Sequence, residues 1–193
     1  MPSERPRMIL VGGGVRSGKS AFALARAEAL GTRRAFVATA EALDDEMRDR
    51  IDRHRRSRGP AFLTVEAPLE LPEAISRLGD LADVDVVVID CLTLWLSNLL
   101  GRETADREIL AQVERLCATL SERHFHSVVV TNEVGMGVVP PSPLGRRFRD
   151  LAGSAHQRLT AEADEVYMAM LGMVLRMRPS PIEVTGAMAT NAG

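Results

Sequence analysis

Residues 13–20 read GGVRSGKS, and this stretch decides the fold that the sequence predicts. It matches the pattern G-x-x-x-x-G-K-[ST] in full. The apolar run at 8–11 is typical of a buried strand, and residues 20–30 have the apolar spacing of a helix. A strand, a glycine-rich loop and a helix in this order form the context that the pattern requires. The sequence therefore predicts a phosphate-binding loop; the alternative is a glycine-rich turn that holds no ligand.

The residue types in this loop suit a polyphosphate. Glycines let successive backbone N–H groups converge on phosphate oxygens, and the start of a helix adds partial positive charge. Lys19 is predicted to be a catalytic residue that bridges the β- and γ-phosphates, and the Ser20 hydroxyl is predicted to bind Mg²⁺. Lys19 is the only lysine among 24 basic side chains, which suggests that the broader guanidinium fork cannot replace it. The predicted nucleotide-binding residues of the loop are Gly13, Gly14, Val15, Arg16, Ser17, Gly18, Lys19 and Ser20.

The rest of the chain alternates apolar runs with amphipathic stretches. Strands are predicted at 8–11, 35–39, 62–65, 84–89, 127–131, 165–171 and 173–178, and helices at 20–30, 43–56, 69–78, 92–100, 105–123 and 144–163. Strands that alternate with helices predict a mainly parallel sheet covered on both faces. A turn at Gly172 predicts a C-terminal edge hairpin. The expected class is an α/β P-loop NTPase with a RecA-like sheet, formed by one domain over residues 1–178 and followed by a flexible tail at 179–193.

The composition excludes several classes of protein. A chain of 193 residues with 46% hydrophobic and 26% charged residues fits one globular domain. A net charge of −2 argues against a surface for nucleic acid or anionic membranes. Cys91 and Cys117 have no metal-ligand spacing and predict neither a disulfide framework nor a zinc site. The apolar stretch at 84–100 contains Asp85 and Asp90, so it does not predict a bilayer span. With no apolar signal region near the N-terminus, we expect a cytoplasmic protein.

Asp90 ends the most apolar of the predicted strands. An acidic residue after a buried strand is typical of the carboxylate that holds Mg²⁺ beside a phosphate loop. Asp90 could instead be the N-cap of the helix predicted at 92–100. Both roles could hold at once, so we place Asp90 among the predicted metal-binding and nucleotide-binding residues.

Residues 42–58 read ALDDEMRDRIDRHRRSR and contain six arginines within eleven positions. Met47, Ile51 and His54 fall on one face of the predicted helix. The surrounding positive charge suits a polyphosphate and favours a neutral imidazole with a nitrogen free to attack. The pattern alone leaves two alternatives open. His54 could be a nucleophile or a hydrogen-bonded packing residue, and the arginines could bind phosphate or form a solvated helix face.

Several stretches together resemble one family, the bifunctional adenosylcobinamide kinase / adenosylcobinamide-phosphate guanylyltransferase of cobalamin biosynthesis. The matching stretches are ILVGGGVRSGKS, FVATAEALDDEMRDRIDRHRRSR, LTVEAP, VVIDCLTLWLSNLL, VTNEVGMGVVP, and FRDLAG followed by HQRLTAEADEV. They occur in the family's order over about residues 8–178. Many families share the phosphate loop, whereas DCLTLWLSNLL and NEVGMGVVP are far more specific.

The resemblance implies two reactions on one substrate. ATP or GTP would phosphorylate the aminopropanol hydroxyl of adenosylcobinamide, and GTP would then transfer GMP to that phosphate through a covalent intermediate on His54. Mg²⁺ would be held by Ser20 and Asp90, and the family suggests a homo-oligomer of trimeric form. Besides the loop and Asp90, the nucleotide contacts that carry over by resemblance are Ala38, Thr39, Ala40, Arg55, Arg56, Ser57, Arg58 and Glu66.

Two rival functions and some departures stand beside this expectation. A P-loop small-molecule kinase would leave His54 idle, and a non-catalytic nucleotide switch would need a partner surface rather than a substrate pocket. His156 stands where the family often has asparagine, and Phe62-Leu63 stands before the T-x-E segment, where the family often has an aromatic residue. Asn132 and Glu133 could be active-site groups or loop caps, and we leave them outside the predicted site.

Overall fold

The computed structural model describes residues 5–42, 45, 48–49, 56, 61–81, 83–122 and 124–179. The strands are β1 (Met8–Gly13), β2 (Arg34–Ala38), β3 (Phe62–Glu66), β4 (Val86–Asp90), β5 (His126–Val130), β6 (Glu165–Met170) and β7 (Met173–Arg178). The helices are α1 (Lys19–Leu30), α2 (Leu71–Gly79), α3 (Leu92–Gly101), α4 (Asp106–Ser121) and α5 (Pro143–Glu162). Most of the helix predicted at 43–56 and all but the first residue of the predicted tail lie outside the described residues.

All seven strands form one sheet in the order β3-β2-β4-β5-β1-β6-β7. Every neighbouring pair is parallel except β6 and β7, which form an antiparallel hairpin at the edge. The mainly parallel sheet and the C-terminal edge hairpin are therefore confirmed. Within this hairpin, β6 pairs in parallel with β1, and β7 is the last strand of the sheet.

Helices cover both faces of the sheet, as the sequence predicts. Buried side chains of α2, α3, α4 and α5 pack on one face, and Ala23 and Ala27 of α1 pack on the other. In α4 the buried residues Ile109, Val113, Leu116 and Leu120 recur every three or four positions, which places them on one helical face. Burying one such side chain stabilises the fold by about 1.5–3 kcal/mol. These contacts fix the strand ends from which the candidate site is built.

Most element ends lie within one residue of their predicted positions, and one end each of β1, α2, β4 and α4 differs by two residues. Strand β1 continues to Gly13 because its parallel pairing with β6 extends through Gly12 and Gly13. Helix α2 begins at Leu71 rather than at 69, and the Leu69 carbonyl instead accepts a hydrogen bond from Nε1 of Trp95. Strand β4 begins at Val86 rather than at 84.

A buried carboxylate fastens α1 and β6 to the segment before β1. Oε1 of Glu165 accepts hydrogen bonds from Arg7 at 3.0 Å and from Arg26 at 2.9 Å, and Oε2 accepts one from the Tyr167 hydroxyl at 2.6 Å. Burial raises the pKa of the Glu165 carboxyl, but the hydrogen bonds from Tyr167, Arg7 and Arg26 outweigh it and lower that pKa. Because Glu165 starts β6, this cluster lies at the amino ends of the parallel strands, opposite the phosphate loop.

Candidate functional site

The strand register brings the predicted residues of four strands to the same side of the sheet, where the parallel strands have their carboxyl ends. This side is called the loop's edge of the sheet. Ala38 pairs with Glu66 on one side and with Asp90 on the other. The phosphate loop leaves the same edge after Gly13. At about 4.8 Å between neighbouring strands, Asp90 lies about 10 Å and Glu66 about 19 Å from β1. The loop and Asp90 are therefore close neighbours, whereas Glu66 lies toward the far end of the edge.

The phosphate loop needs glycine at two positions. Gly13 has a φ of 155°, and a Cβ there would lie 2.4 Å from the Ala169 carbonyl oxygen. Gly18 has a φ of 93° and is the N-cap of α1 without a side-chain cap hydrogen bond. No side chain at the N-cap therefore caps the first N–H groups of α1. This arrangement lets the start of a helix bind an anion. The Ser17 side chain is buried, and its Oγ has no hydrogen-bond partner.

Lys19 lies at the start of α1 and folds back over the loop. Its side chain is mostly buried, and Nζ donates a hydrogen bond to the Gly14 carbonyl at 3.1 Å. Ser20 follows it and is half-buried. The ammonium group and the neighbouring hydroxyl therefore lie on the loop that would wrap around the phosphates.

The oxygen atoms of Ser20 and Asp90 fit the Mg²⁺ that the family resemblance implies. Both residues are half-buried, and a hydroxyl with one carboxylate suits an ion that keeps most of its ligands as water and phosphate oxygen. Within the described parts of the chain, no group of three or more His, Cys, Asp or Glu residues forms a self-sufficient metal site. The donor set therefore matches a metal that arrives with a nucleotide.

Asp90 does not cap the helix that follows it. The N-cap of α3 is Cys91, with an extended backbone and no side-chain cap hydrogen bond. The alternative that Asp90 is the N-cap is therefore wrong. The peptide bond between Asp90 and Cys91 is cis.

Thr39 joins the end of β2 to the residue after β4. Its fully buried hydroxyl donates to the Cys91 carbonyl and accepts from the Cys91 N–H, both at 2.7 Å. Nδ2 of Asn98 in α3 donates to the carbonyls of Thr39 at 2.7 Å and Pro68 at 2.9 Å. The side chains of Thr39 and Asn98 therefore hold the strand ends together, a positioning role that the sequence patterns did not predict.

The segment after β5 lies beside the phosphate loop. The N–H of Thr131 donates to the Val11 carbonyl and the N–H of Glu133 to the Gly13 carbonyl, both at 3.0 Å. Asn132 turns the other way, and its Nδ2 donates to Oγ1 of Thr93 at 2.9 Å. Asn132 and Glu133, which the sequence analysis left outside the site, thus lie within it. The signal that could have found them is a run of polar residues directly after a buried strand that ends at the loop's edge.

His156 of α5 contacts this same segment. Its Nε2 lies 2.7 Å from Oγ1 of Thr131, and its Nδ1 lies 3.8 Å from Oε2 of Glu133. Burial lowers the pKa of His156, and the Glu133 carboxylate opposes this shift without reversing it. The ring is therefore neutral at pH 7. His156, the residue that departs from the family pattern, therefore contacts residues of its own chain.

His54, Arg55, Ser57 and Arg58 lie outside the described residues, so their predicted roles remain predictions. Arg56 has helical backbone and an exposed side chain. Nearer the start of the same predicted helix, Arg48 forms a 2.6 Å ion pair with Asp45, and both side chains are exposed. For Arg48, this fits the interpretation of a solvated helix face.

Apolar side chains are exposed along the edge that carries the loop. Val15 in the loop, Met136 and Val138 after β5, and Leu171 in the turn after β6 are between 73% and 95% exposed. All four follow strands that end at this edge. Apolar groups that face water around a polar site are typical of a surface that binds a large ligand or another protein.

A phosphate-binding loop between a buried strand and a helix, with a carboxylate two strands away, defines a P-loop nucleotide-binding protein of the α/β class. Residues 9–177 match the model of the family described as "Cobinamide kinase / cobinamide phosphate guanyltransferase". The chain belongs to this family.

Relatives with similar sequences carry matching names. The chain is 39% identical over 186 residues to "Bifunctional adenosylcobalamin biosynthesis protein CobU" of Escherichia coli, an alignment that covers 89% of this chain and 99% of that protein. It is 36% identical over 173 residues to "Bifunctional adenosylcobalamin biosynthesis protein CobP" of Pseudomonas aeruginosa, with 90% and 98% covered. The chain therefore spans nearly the whole length of these relatives.

Solved structures with a similar fold include the RadB recombinase, with a TM-score of 0.49 and 17% identity over 84% of this chain and 73% of that one. The flagellar accessory protein FlaH from Methanocaldococcus jannaschii has a TM-score of 0.48 and 11% identity over 87% of this chain and 74% of that one.

In the described part of the chain, no helix is both long and apolar enough to cross a membrane.

Proposed function

We propose that this chain catalyses both reactions of its family on one substrate. It phosphorylates the aminopropanol hydroxyl of adenosylcobinamide with ATP or GTP, and then transfers GMP from GTP to that phosphate, which releases pyrophosphate and gives adenosylcobinamide-GDP. The observation that carries the proposal is a complete phosphate loop at the same sheet edge as Asp90, in a chain that matches the family over residues 9–177.

In the phosphorylation step, the protein positions the nucleotide and offsets its charge. Backbone N–H groups of the loop bind the phosphates, and Lys19 moves from the Gly14 carbonyl onto the β- and γ-phosphates. Ser20 and Asp90 would hold Mg²⁺, which would supply charge neutralisation at the phosphate oxygens. Ala38, Ala40 and Glu66 contact the rest of the nucleotide farther along the carboxyl ends of the strands. Thr39, which is fully buried and bonded to Cys91, positions these residues rather than touching the nucleotide.

In the guanylylation step, a neutral His54 imidazole attacks the α-phosphorus of GTP. The bond from that phosphorus to the bridging oxygen breaks and pyrophosphate leaves, which produces a high-energy phosphoramidate. The phosphate of the substrate then displaces the histidine nitrogen. The arginines next to His54, namely Arg55, Arg56 and Arg58, stabilise the leaving pyrophosphate, and Ser57 contacts the nucleotide.

The surroundings of the site support a large substrate and a shared active site. Adenosylcobinamide is a large ligand, and the exposed apolar residues around the phosphate loop suit such a ligand or a neighbouring copy of the chain. We therefore propose a homo-oligomer, a trimer by the family resemblance, that acts in the cytoplasm, does not bind nucleic acid and does not span a membrane.

Intact-protein mass after incubation with GTP and Mg²⁺ tests the proposal. We expect an acid-labile GMP adduct on the parent protein and none on His54→Ala. His124→Ala, which changes an exposed histidine before β5, is the matched control and should keep the adduct. If the parent protein binds GTP but forms no adduct, the guanylylation step is excluded, and a P-loop small-molecule kinase or a nucleotide switch takes its place.

A further inference from the structure

One carboxylate beside the phosphate loop has no role in the steps described above. The backbone N–H of Glu133 donates to the Gly13 carbonyl at 3.0 Å, so this residue lies directly against the first residue of the loop. Its Oε1 accepts a hydrogen bond from the Gly135 N–H at 2.5 Å. Its Oε2 lies 3.8 Å from Nδ1 of His156, which is longer than a hydrogen bond. One oxygen therefore accepts a backbone hydrogen bond within the segment after β5, and the other is available to accept a proton.

His156 is placed to orient this second oxygen. Its side chain is only 15% exposed, whereas that of Glu133 is 26% exposed. The Thr131 hydroxyl, 2.7 Å from Nε2, can donate to that nitrogen and leave the ring proton on Nδ1. In that tautomer Nδ1–H faces Oε2. The imidazole thus lies behind the carboxylate, on the protein side, and the carboxylate reaches solvent at the sheet edge.

We propose that Glu133 is the general base of the phosphorylation step and that His156 is the positioning residue that holds its carboxylate. This assignment rests on the proposed function, because the proton comes from the aminopropanol hydroxyl of adenosylcobinamide. The hydroxyl oxygen attacks the γ-phosphorus, a new O–P bond forms, and the bond to the β,γ-bridging oxygen breaks. The nucleoside diphosphate leaves with that electron pair. The hydroxyl proton passes to Oε2 of Glu133 and then to water.

The chemistry of the two reactions separates this role from that of Asp90. An alcohol keeps its proton at pH 7, so its attack is faster when a base accepts that proton. The phosphate that accepts GMP in the second reaction is mostly dianionic at pH 7, so its attack does not depend on a base. Loss of the base therefore affects phosphorylation alone, whereas loss of Asp90, a predicted Mg²⁺ ligand, affects both reactions. Strand β5, which leads to Glu133, also lies between β4 and the loop strand β1.

The variant Glu133→Gln isolates the proton-accepting function. A glutamine side chain keeps a carbonyl oxygen that can accept from the Gly135 N–H, so this hydrogen bond is retained. With ATP, Mg²⁺ and adenosylcobinamide, we expect kcat for phosphorylation to fall about 10²- to 10⁴-fold. GMP-adduct formation from GTP in the same protein sample should stay within about twofold of the parent rate. Glu28→Gln, on the exposed face near the end of α1, is the matched control and should leave both rates unchanged.

A second variant tests the positioning role. His156→Gln should lower kcat for phosphorylation by about tenfold with little change in the KM for ATP. Combined with Glu133→Gln it should add little further loss, because a positioning residue acts only through the group that it positions.

Two results would overturn the assignment. One is a Glu133→Gln protein that phosphorylates adenosylcobinamide at the parent rate. The other is a Glu133→Gln protein that loses phosphorylation and adduct formation to the same degree. This result would indicate that Glu133 has a structural role beside the phosphate loop. If the parent protein fails to phosphorylate adenosylcobinamide at all, the proposed function itself fails and the base assignment fails with it.

Discussion

The hydroxyl of Thr39 exchanges two hydrogen bonds of 2.7 Å with the backbone of Cys91, donating to its carbonyl and accepting from its N–H. The side chain is fully buried, and the bonds join residues 52 positions apart. They link the end of β2 to the residue after Asp90. One hydroxyl therefore sets the distance between two strand ends that both contribute to the candidate site.

Thr39→Val should destabilise the protein by about 2–3 kcal/mol, because it leaves a buried N–H and a buried carbonyl without these partners. Urea unfolding followed by circular dichroism measures the change. Thr119→Val is the matched control, since that hydroxyl bonds to a carbonyl within its own helix. The control should change stability by less than about 0.5 kcal/mol. Equal stability of Thr39→Val and the parent protein would contradict the stabilising role of these two hydrogen bonds.

Lys19→Arg should lower kcat for phosphorylation by about 10²-fold or more. The guanidinium is too broad for the place where Nζ lies against the Gly14 carbonyl, and it meets the phosphates as a fork rather than as a point charge. Coupled-enzyme measurement of nucleoside diphosphate release checks this. Arg77→Lys, on an exposed face of α2, should keep the parent rate. A Lys19→Arg enzyme with the parent kcat would remove the reason for a single lysine in this chain.

Stability should fall with acid as His156 becomes protonated. The pKa of His156 is lowered in the folded protein, chiefly by burial, so below about pH 6.5 the unfolded chain binds a proton that the folded chain resists. The contribution is fully present above pH 6.5 and is lost as the pH falls, with a slope of at most about 1.4 kcal/mol per pH unit. Urea unfolding between pH 5 and pH 8 measures it. His156→Gln should reduce this slope, and His124→Gln should preserve it.

Both cysteines should resist thiol reagents in the native protein. Burial raises the pKa of Cys91, and it raises the pKa of Cys117 to about 11. At pH 8, a thiol with that pKa has on the order of 100-fold less thiolate than a free cysteine. Absorbance with a chromogenic disulfide reagent should show slow labelling of the native chain and rapid labelling of two thiols in guanidinium chloride. Rapid labelling before unfolding would contradict the burial of these side chains.

The sequence predicted the architecture well because local patterns and the fold agree along most of the chain. The loop at 13–20 required a strand before it and a helix after it, and both are present. The sequence patterns ended the first strand at the glycines, whereas pairing with β6 continues it to Gly13. Long-range pairing of this kind leaves no local signal.

The candidate site was less predictable than the fold. Glycine and lysine spacing pointed to the phosphate loop, and an acidic residue after an apolar strand pointed to Asp90. By contrast, Glu133 gains significance only when β5 is seen to lie next to the loop strand. His156 gains it only through its distance to Thr131, 25 residues away. Contacts of this kind depend on how a distant helix packs, which neither periodicity nor spacing encodes.

The hydrogen bond from Lys19 to the Gly14 carbonyl has a thermodynamic consequence for ligand binding. Immobilising a free lysine side chain costs about 2 kcal/mol of rotamer entropy. Here that cost falls on folding, so the incoming nucleotide meets an ammonium group that is already ordered. Binding then replaces a neutral carbonyl partner with a charged phosphate oxygen, which forms the stronger hydrogen bond. The phosphate loop is in this sense preorganised. Its affinity for polyphosphate depends on the folded contacts that keep Lys19 ordered.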